Sequence, residues 1–227
     1  MTSKRLPKII FSPMAWLKLQ YFCHRGDTEV GGFGISAQDN SLYIEDFVTV
    51  RQDTSPVTVS LRDDAVADHF DRCVDLKLTP ERFARIWLHT HPGASVQPSR
   101  TDEETFTRVF GGCDWAVMFI LGRTGKTFAR LSLSGPVKIE LELTTTVDWA
   151  QWPAHAFEGP SLEYLLEQWA DEYGSNINSA PRFDELMRDE LRANGFDWIE
   201  DWDWLDEHLE LTTESLGAND DVYAFTD

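Results

Sequence analysis

Residues 87–102 read WLHTHPGASVQPSRTD, and the fold turns on how they are read. They continue an apolar run that begins at Ala84, ARIWLHTH, which reads as a buried strand. Successive strand residues face opposite sides of a sheet. His89 and His91 therefore present two imidazoles on one face. Pro92 ends the strand and stiffens its exit. The loop GASVQP carries the chain round, and TDEETFTRVF (101–110) reads as a helix with an acidic first turn. Asp102 lies in that turn, and Ser99 stands just ahead of it.

Two imidazoles and one carboxylate make three protein ligands. They leave the fourth tetrahedral position open, as in a catalytic zinc site rather than a structural one, and their donor set favours zinc. Each residue also has a plainer reading. A histidine at a strand end is usually just hydrogen-bonded. Ser99-x-x-Asp102 and Thr101-x-x-Glu104 both match capping boxes. These plainer readings do not explain the histidine pair, the proline and the spacing together.

The whole pattern, His-x-His, seven residues, Ser, two residues, Asp, resembles the JAMM motif of the JAB/MPN zinc metalloproteases. Both prolines of HTHPGASVQPSRTD, one after the second histidine and one before the serine, also fit. Glu29 in TEVGGFGIS, 60 residues before His89, matches the glutamate that the family carries on an early strand. The resemblance covers about residues 10–145 in element order, with sharp matches at 29–36 and 87–102. It implies an α/β fold, a mixed sheet flanked by helices in a cytidine-deaminase-like sandwich. One catalytic Zn2+ would sit on His89, His91 and Asp102. Glu29 would be the general base, and Ser99 would donate to the oxyanion. Gly31 and Gly32 mark either a close backbone approach or a β-bulge.

The same resemblance implies an isopeptidase or peptidase that cuts after the C-terminal glycine of a ubiquitin-like protein, with the tail held as an added strand. An alternative is a hydrolase that releases an amino acid from a ubiquitin-like sulfur carrier. A non-proteolytic binding module is the other class. Family members that lost the ligands act as scaffolds, whereas this chain keeps them all. The DNA-repair-associated RadC branch usually reads HNHPSG where this chain has HTHPGA.

Composition agrees with a globular protein: 227 residues, 42% hydrophobic and 12% aromatic. The three cysteines are sparse and odd in number, so reduced thiols are expected. No run approaches the roughly 20 apolar residues of a membrane helix, and a cytoplasmic location is expected. The net charge of −19 is concentrated late. Residues 150–227 hold 20 acidic and three basic side chains. Such a surface repels phosphate backbones, so nucleic acid is not an expected partner.

Further elements follow from patterning. Ser12-Pro13 starts a helix. Strands are expected at 29–36, 42–50, 57–61, 115–122, 126–134 and 137–143, with a helix at 63–76. The pattern changes near Trp149. The expected division is a catalytic domain over 1–148 and an acidic, Trp-rich helical extension over 149–227, with helices at 161–174, 182–195 and 197–211. Trp198, Trp202 and Leu205 share one stripe of the last helix. That stripe either packs on a neighbour or docks the modifier or its conjugating enzymes. His24, His69, His155 and His208 lack ligand-like spacing, and Trp87 reads as core.

Overall fold

In the central strand β6 (Ile86–His91) all six residues are buried, as expected of a strand covered on both faces. The computed structural model describes residues 7–152 and 161–179. The strands before β6 are β1 (Lys8–Phe11), β2 (Val30–Ser36), β3 (Tyr43–Thr49), β4 (Gln52–Ser55) and β5 (Thr58–Leu61). Those after it are β7 (Trp115–Gly122), β8 (Thr127–Leu133), β9 (Ile139–Glu142), β10 (Thr144–Val147) and β11 (Ile177–Ser179). The helices are α1 (Pro13–Arg25), α2 (Asp63–Asp75), α3 (Pro80–Phe83), α4 (Arg100–Phe110) and α5 (Leu162–Asn176).

The fold is mixed α/β. A large sheet runs β10-β1-β3-β2-β6-β7-β8-β9, and a small one runs β11-β4-β5. The large sheet is nearly closed on itself. Leu143 N–H donates to Ala129 O (2.9 Å), and the Thr127 and Thr145 hydroxyls meet at 3.0 Å. β6 and β7 are parallel, joined by α4, while β2 pairs antiparallel with both β3 and β6.

Strand parity splits β6 between two cores. Ile86 and Leu88 pack with α1 residues Leu19 and Phe22, and with Phe47 and Phe119. Trp87 packs on the other side with Phe106 and Phe110 of α4, and with Met118 and Ile120. Burying side chains of this size stabilises by about 1.5–3 kcal/mol each, so the parity is strongly fixed. His89 and His91 share Trp87's face, the one covered by α4.

Helix α1 starts where the sequence places it: the Ser12 hydroxyl accepts from Ala15 N at 3.1 Å, with Pro13 next. Several elements were not legible. β1 precedes Ser12, and β4 forms a hairpin with β5. The strand expected at 137–143 is β9, and β10 directly after it was not expected. β9 lies at one edge of the large sheet and β10 at the other, with buried Leu143 between them.

The expected helix at 161–174 is α5. It docks on α1 through Trp169, which lies against Tyr21, and Tyr173, which lies against Phe22. Buried Lys18 pairs with Glu172 at 2.7 Å and Asp46 at 3.6 Å. One compact unit runs to Ala180, so α5, assigned by its sequence to the extension, packs in the same unit as the large sheet. The helices expected at 182–195 and 197–211, with the Trp198 stripe, lie outside the described residues, as do His155 and His208. Among the described residues no helix is long and apolar enough to cross a membrane.

Candidate metal centre

The two imidazoles leave β6 on one face, as parity requires, with ring centroids 5.2 Å apart. His89 is fully buried and lies flat on the Trp87 indole, centroids 4.1 Å apart and planes 20° apart. Trp87 is thus core, and it also sets the plane of one imidazole. His91 is oriented from the loop beyond it. Its Nδ1 lies 3.0 Å from Ser95 O. A carbonyl can only accept, so Nδ1 carries a proton and Nε2 faces inward.

Asp102 reaches both rings from the first turn of α4. Its Oδ1 is 3.4 Å from His89 Nε2, and its Oδ2 is 3.6 Å from His91 Nε2. The capping box is real as well. Ser99 N–H donates to Asp102 Oδ2 (2.7 Å), and Asp102 N–H donates to Ser99 Oγ (3.1 Å). The Ser99 hydroxyl also donates to Asp102 Oδ2 at 2.8 Å. One carboxylate therefore serves the helix start and the histidine pair together.

Glu29 stands just ahead of β2, 5% exposed, with Oε1 3.6 Å from His91 Nε2. Its own N–H donates to Ser55 O (2.9 Å). The glycines behind it are close-approach positions, not a bulge. A Cβ on Gly31 would stand 2.7 Å from Val59 Cγ1, and one on Gly32 would stand 2.3 Å from Val48 O. The irregularity in β2 falls at Ile35 and Ser36 instead.

Three features show that these residues fit a metal ion. First, ligand-type atoms of His89, His91 and Asp102 all lie within 4.8 Å of one another. Second, the His-to-Asp spacings of 3.4 and 3.6 Å are close to those around a tetrahedral ion. Bonds of about 2.0–2.1 Å set ligand atoms about 3.3–3.4 Å apart there. Third, both histidine Nε2 atoms are buried without a hydrogen bond, because the carboxylate contacts are too long or too bent. Buried polar atoms are rarely left so. The buried His-His-Asp group could hold a metal ion.

Electrostatics point the same way. Burial pushes against ionising Asp102, but the two imidazoles and Ser99 N–H outweigh it, holding the carboxyl well below its usual range. Burial lowers the pKa of His89, opposed by Asp102. At His91 burial is outweighed by the Asp102 and Glu29 carboxylates, and its pKa rises. Burial pushes Glu29 up to about 8, against the pull of His91 and with the help of Asp102. Glu29 Oε2 makes no hydrogen bond. A dication beside it would draw that pKa down.

Other sequence candidates fall elsewhere. His69 is buried, stacked on Phe33 and away from the cluster. The cysteines are free, Cys23 and Cys73 being buried. A cavity of about 280 Å³ beside α4 is lined by Phe106, Phe110 and Ser132 and touches none of the four clustered side chains. The donor geometry, not cavity size, marks the site. Sequence reasoning missed Ser95, whose signal is its place four residues after His91, as well as Thr90, Gln52 and Arg123. Arg123 N–H reaches His91 O and Gly93 O, both at 3.2 Å, and its guanidinium holds Gly26 O and Asp27. It thereby ties the loop after His91 to the loop before Glu29. The chain matches no protein-family model and no curated protein.

Proposed function

We propose that this protein is a zinc-dependent peptidase of the JAMM type that cuts after the C-terminal glycine of a ubiquitin-like protein. One observation carries the reading. Glu29, His89, His91 and Asp102, from three separate segments, meet at a buried point where the histidine Nε2 atoms lack hydrogen-bond partners. The motif resemblance adds the substrate class.

His89, His91 and Asp102 would hold the zinc, with Trp87, Ser95 O and Ser99 fixing the three side chains from behind. Bound there, zinc supplies Lewis acidity and a water whose pKa is lowered towards about 7. Glu29 takes the proton of the attacking water at Oε2 and passes it to the leaving amine. Ser99 is exposed, and its hydroxyl is turned to Asp102. Rotation about its side-chain bond frees it to donate to the oxyanion. An extended glycine-ended tail presents its last peptide to these groups without side-chain obstruction.

The test is intact-mass spectrometry on a panel of ubiquitin-like proteins carrying short C-terminal extensions. Each is incubated with the zinc-loaded full chain and with Glu29→Ala. Cleavage after the terminal glycine by the wild type alone is the expected result. No cleavage across the panel, by a chain shown to hold zinc, would overturn the reading.

A further inference from the structure

Every residue from Gly26 to Gly31 is gripped by a side chain or by the small sheet. Arg123 holds Gly26 O and Asp27. The Thr28 hydroxyl meets that of Thr54 at 2.9 Å. Glu29 N–H goes to Ser55 O (2.9 Å), and Val30 N–H goes to Thr90 Oγ1 (3.1 Å). Gly31 N–H goes to Gln52 Oε1 (2.8 Å).

The last of these answers a local gap in the sheet. The β2–β3 ladder begins at Gly32 opposite Thr49, where β3 ends. The chain then turns into β4, so on that side Gly31 has no strand residue opposite it. Gln52, the first residue of β4 and 1% exposed, fills the place with its side chain. Its Oε1 accepts from Gly31 N–H, while its Nε2 donates to Gly31 O (2.7 Å) and Val50 O (2.9 Å). A carboxamide offers a donor and an acceptor at fixed spacing, as a peptide unit does. Gln52 is in effect a one-residue strand.

Glu29 lies two residues upstream. No hydrogen bond anchors its Oε2, and its Oε1 has only His91 Nε2 at 3.6 Å, so the backbone beneath it bears directly on where the carboxylate stands. We infer that Gln52 is a positioning residue for Glu29: by pairing with both polar groups of Gly31 it holds the carboxylate over the His89–His91–Asp102 cluster. This rests on the reading of Glu29 as the base.

The test uses the full chain with Gln52→Met, near in shape but without the amide, and Gln52→Asn, which withdraws the amide by one methylene. Should the first not fold, the second carries the test. In metal-free protein, NMR reads hydrogen exchange at the Gly31 amide and the side-chain carboxyl 13C signal of Glu29. Faster exchange together with a displaced or doubled Glu29 signal is expected. In zinc-loaded protein acting on a cleavable ubiquitin-like reporter, kcat falls by about 100-fold, the scale of an ångström's misplacement. KM and cobalt affinity stay at wild-type values. A Glu29 signal unmoved while Gly31 exchanges faster would overturn the inference, leaving Gln52 a purely structural residue. Unchanged kcat would overturn it too. If the wild type cleaves nothing, the proposed activity fails, and the NMR result alone still decides the role of Gln52.

Discussion

Ser99 donates its hydroxyl to Asp102 Oδ2 at 2.8 Å, and that same oxygen lies 3.6 Å from His91 Nε2. The helix cap and the candidate metal ligand are one carboxylate. The start of α4 is therefore tied to the histidine pair, and the two roles separate by mutation. Ser99→Ala is expected to cost about 1 kcal/mol of stability, the usual cost of a lost N-cap, and to leave zinc uptake intact. Asp102→Asn loses zinc. Urea unfolding alongside zinc content by mass spectrometry checks both. Stoichiometric zinc in Asp102→Asn would show that the cluster is not the binding site.

Zinc affinity should fall with pH. The raised pKa of His91 means a proton competes for Nε2 at mildly acidic pH, and binding must release it. Glu29, pushed up to about 8 by burial, gives up a proton to the same dication, so affinity is greatest above about 8 and declines as pH drops through that value and through the raised pKa of His91. Calorimetric titrations in two buffers of different ionisation enthalpy would detect the released proton. Buffer-independent heats at pH 6 would contradict the assignment.

The two glycines of β2 should respond differently to substitution. Gly31→Ala drives a methyl against the Val59 side chain, whereas Gly32→Ala drives one into the Val48 carbonyl. Side chains can be trimmed and backbone cannot. Val59→Ala is expected to recover part of the stability lost in Gly31→Ala and none of that lost in Gly32→Ala. A double-mutant cycle measures the coupling, and equal recovery in both would refute the packing account.

Glu172 should matter to the whole compact unit. It pairs with Lys18, whose side chain is 9% exposed, and accepts from Thr49 N–H and Oγ. Glu172→Ala leaves the buried ammonium with Asp46 alone at 3.6 Å. A loss of about 1.5–3 kcal/mol is expected, the scale of hydrogen bonds to a charged group, because Asp46 still compensates the ammonium. For the same reason a chain ending at 148, which strips Trp169 from the α1 face, should unfold far more readily than one ending at 180. Thermal denaturation of the two truncations decides this.

His69 makes stability sensitive to acid. Burial, helped by Arg72, lowers its pKa from 6.5. The unfolded state then binds the proton more readily than the folded one, so stability rises with pH and levels off above about 6.5. As pH falls below that value the contribution is lost, with His89 adding in the same direction. His69→Phe, which keeps an aromatic ring against Phe33, should flatten the urea midpoint between pH 5.5 and 7.5. An unchanged slope would rule out His69 as the source.

Local geometry made part of this protein legible without a structure. His89 and His91 share a face because side chains alternate along a strand, and Ser99 meets Asp102 because a helix's first turn brings N-cap and N3 together. These relations span a few residues and depend only on backbone geometry. α1, β6, α4 and the β7–β8 hairpin follow from the same short-range rules. Long-range pairing decided the rest. Glu29 comes within 3.6 Å of His91 only because β2 lies against β6. Gln52 becomes a strand surrogate only because β3 stops at Thr49, and IELE (139–142) and TTTV (144–147) reach opposite edges across the single residue Leu143 only because the sheet curls nearly shut. The sequence carries no local mark of which strands will pair, since that choice is made by burying whole faces at once.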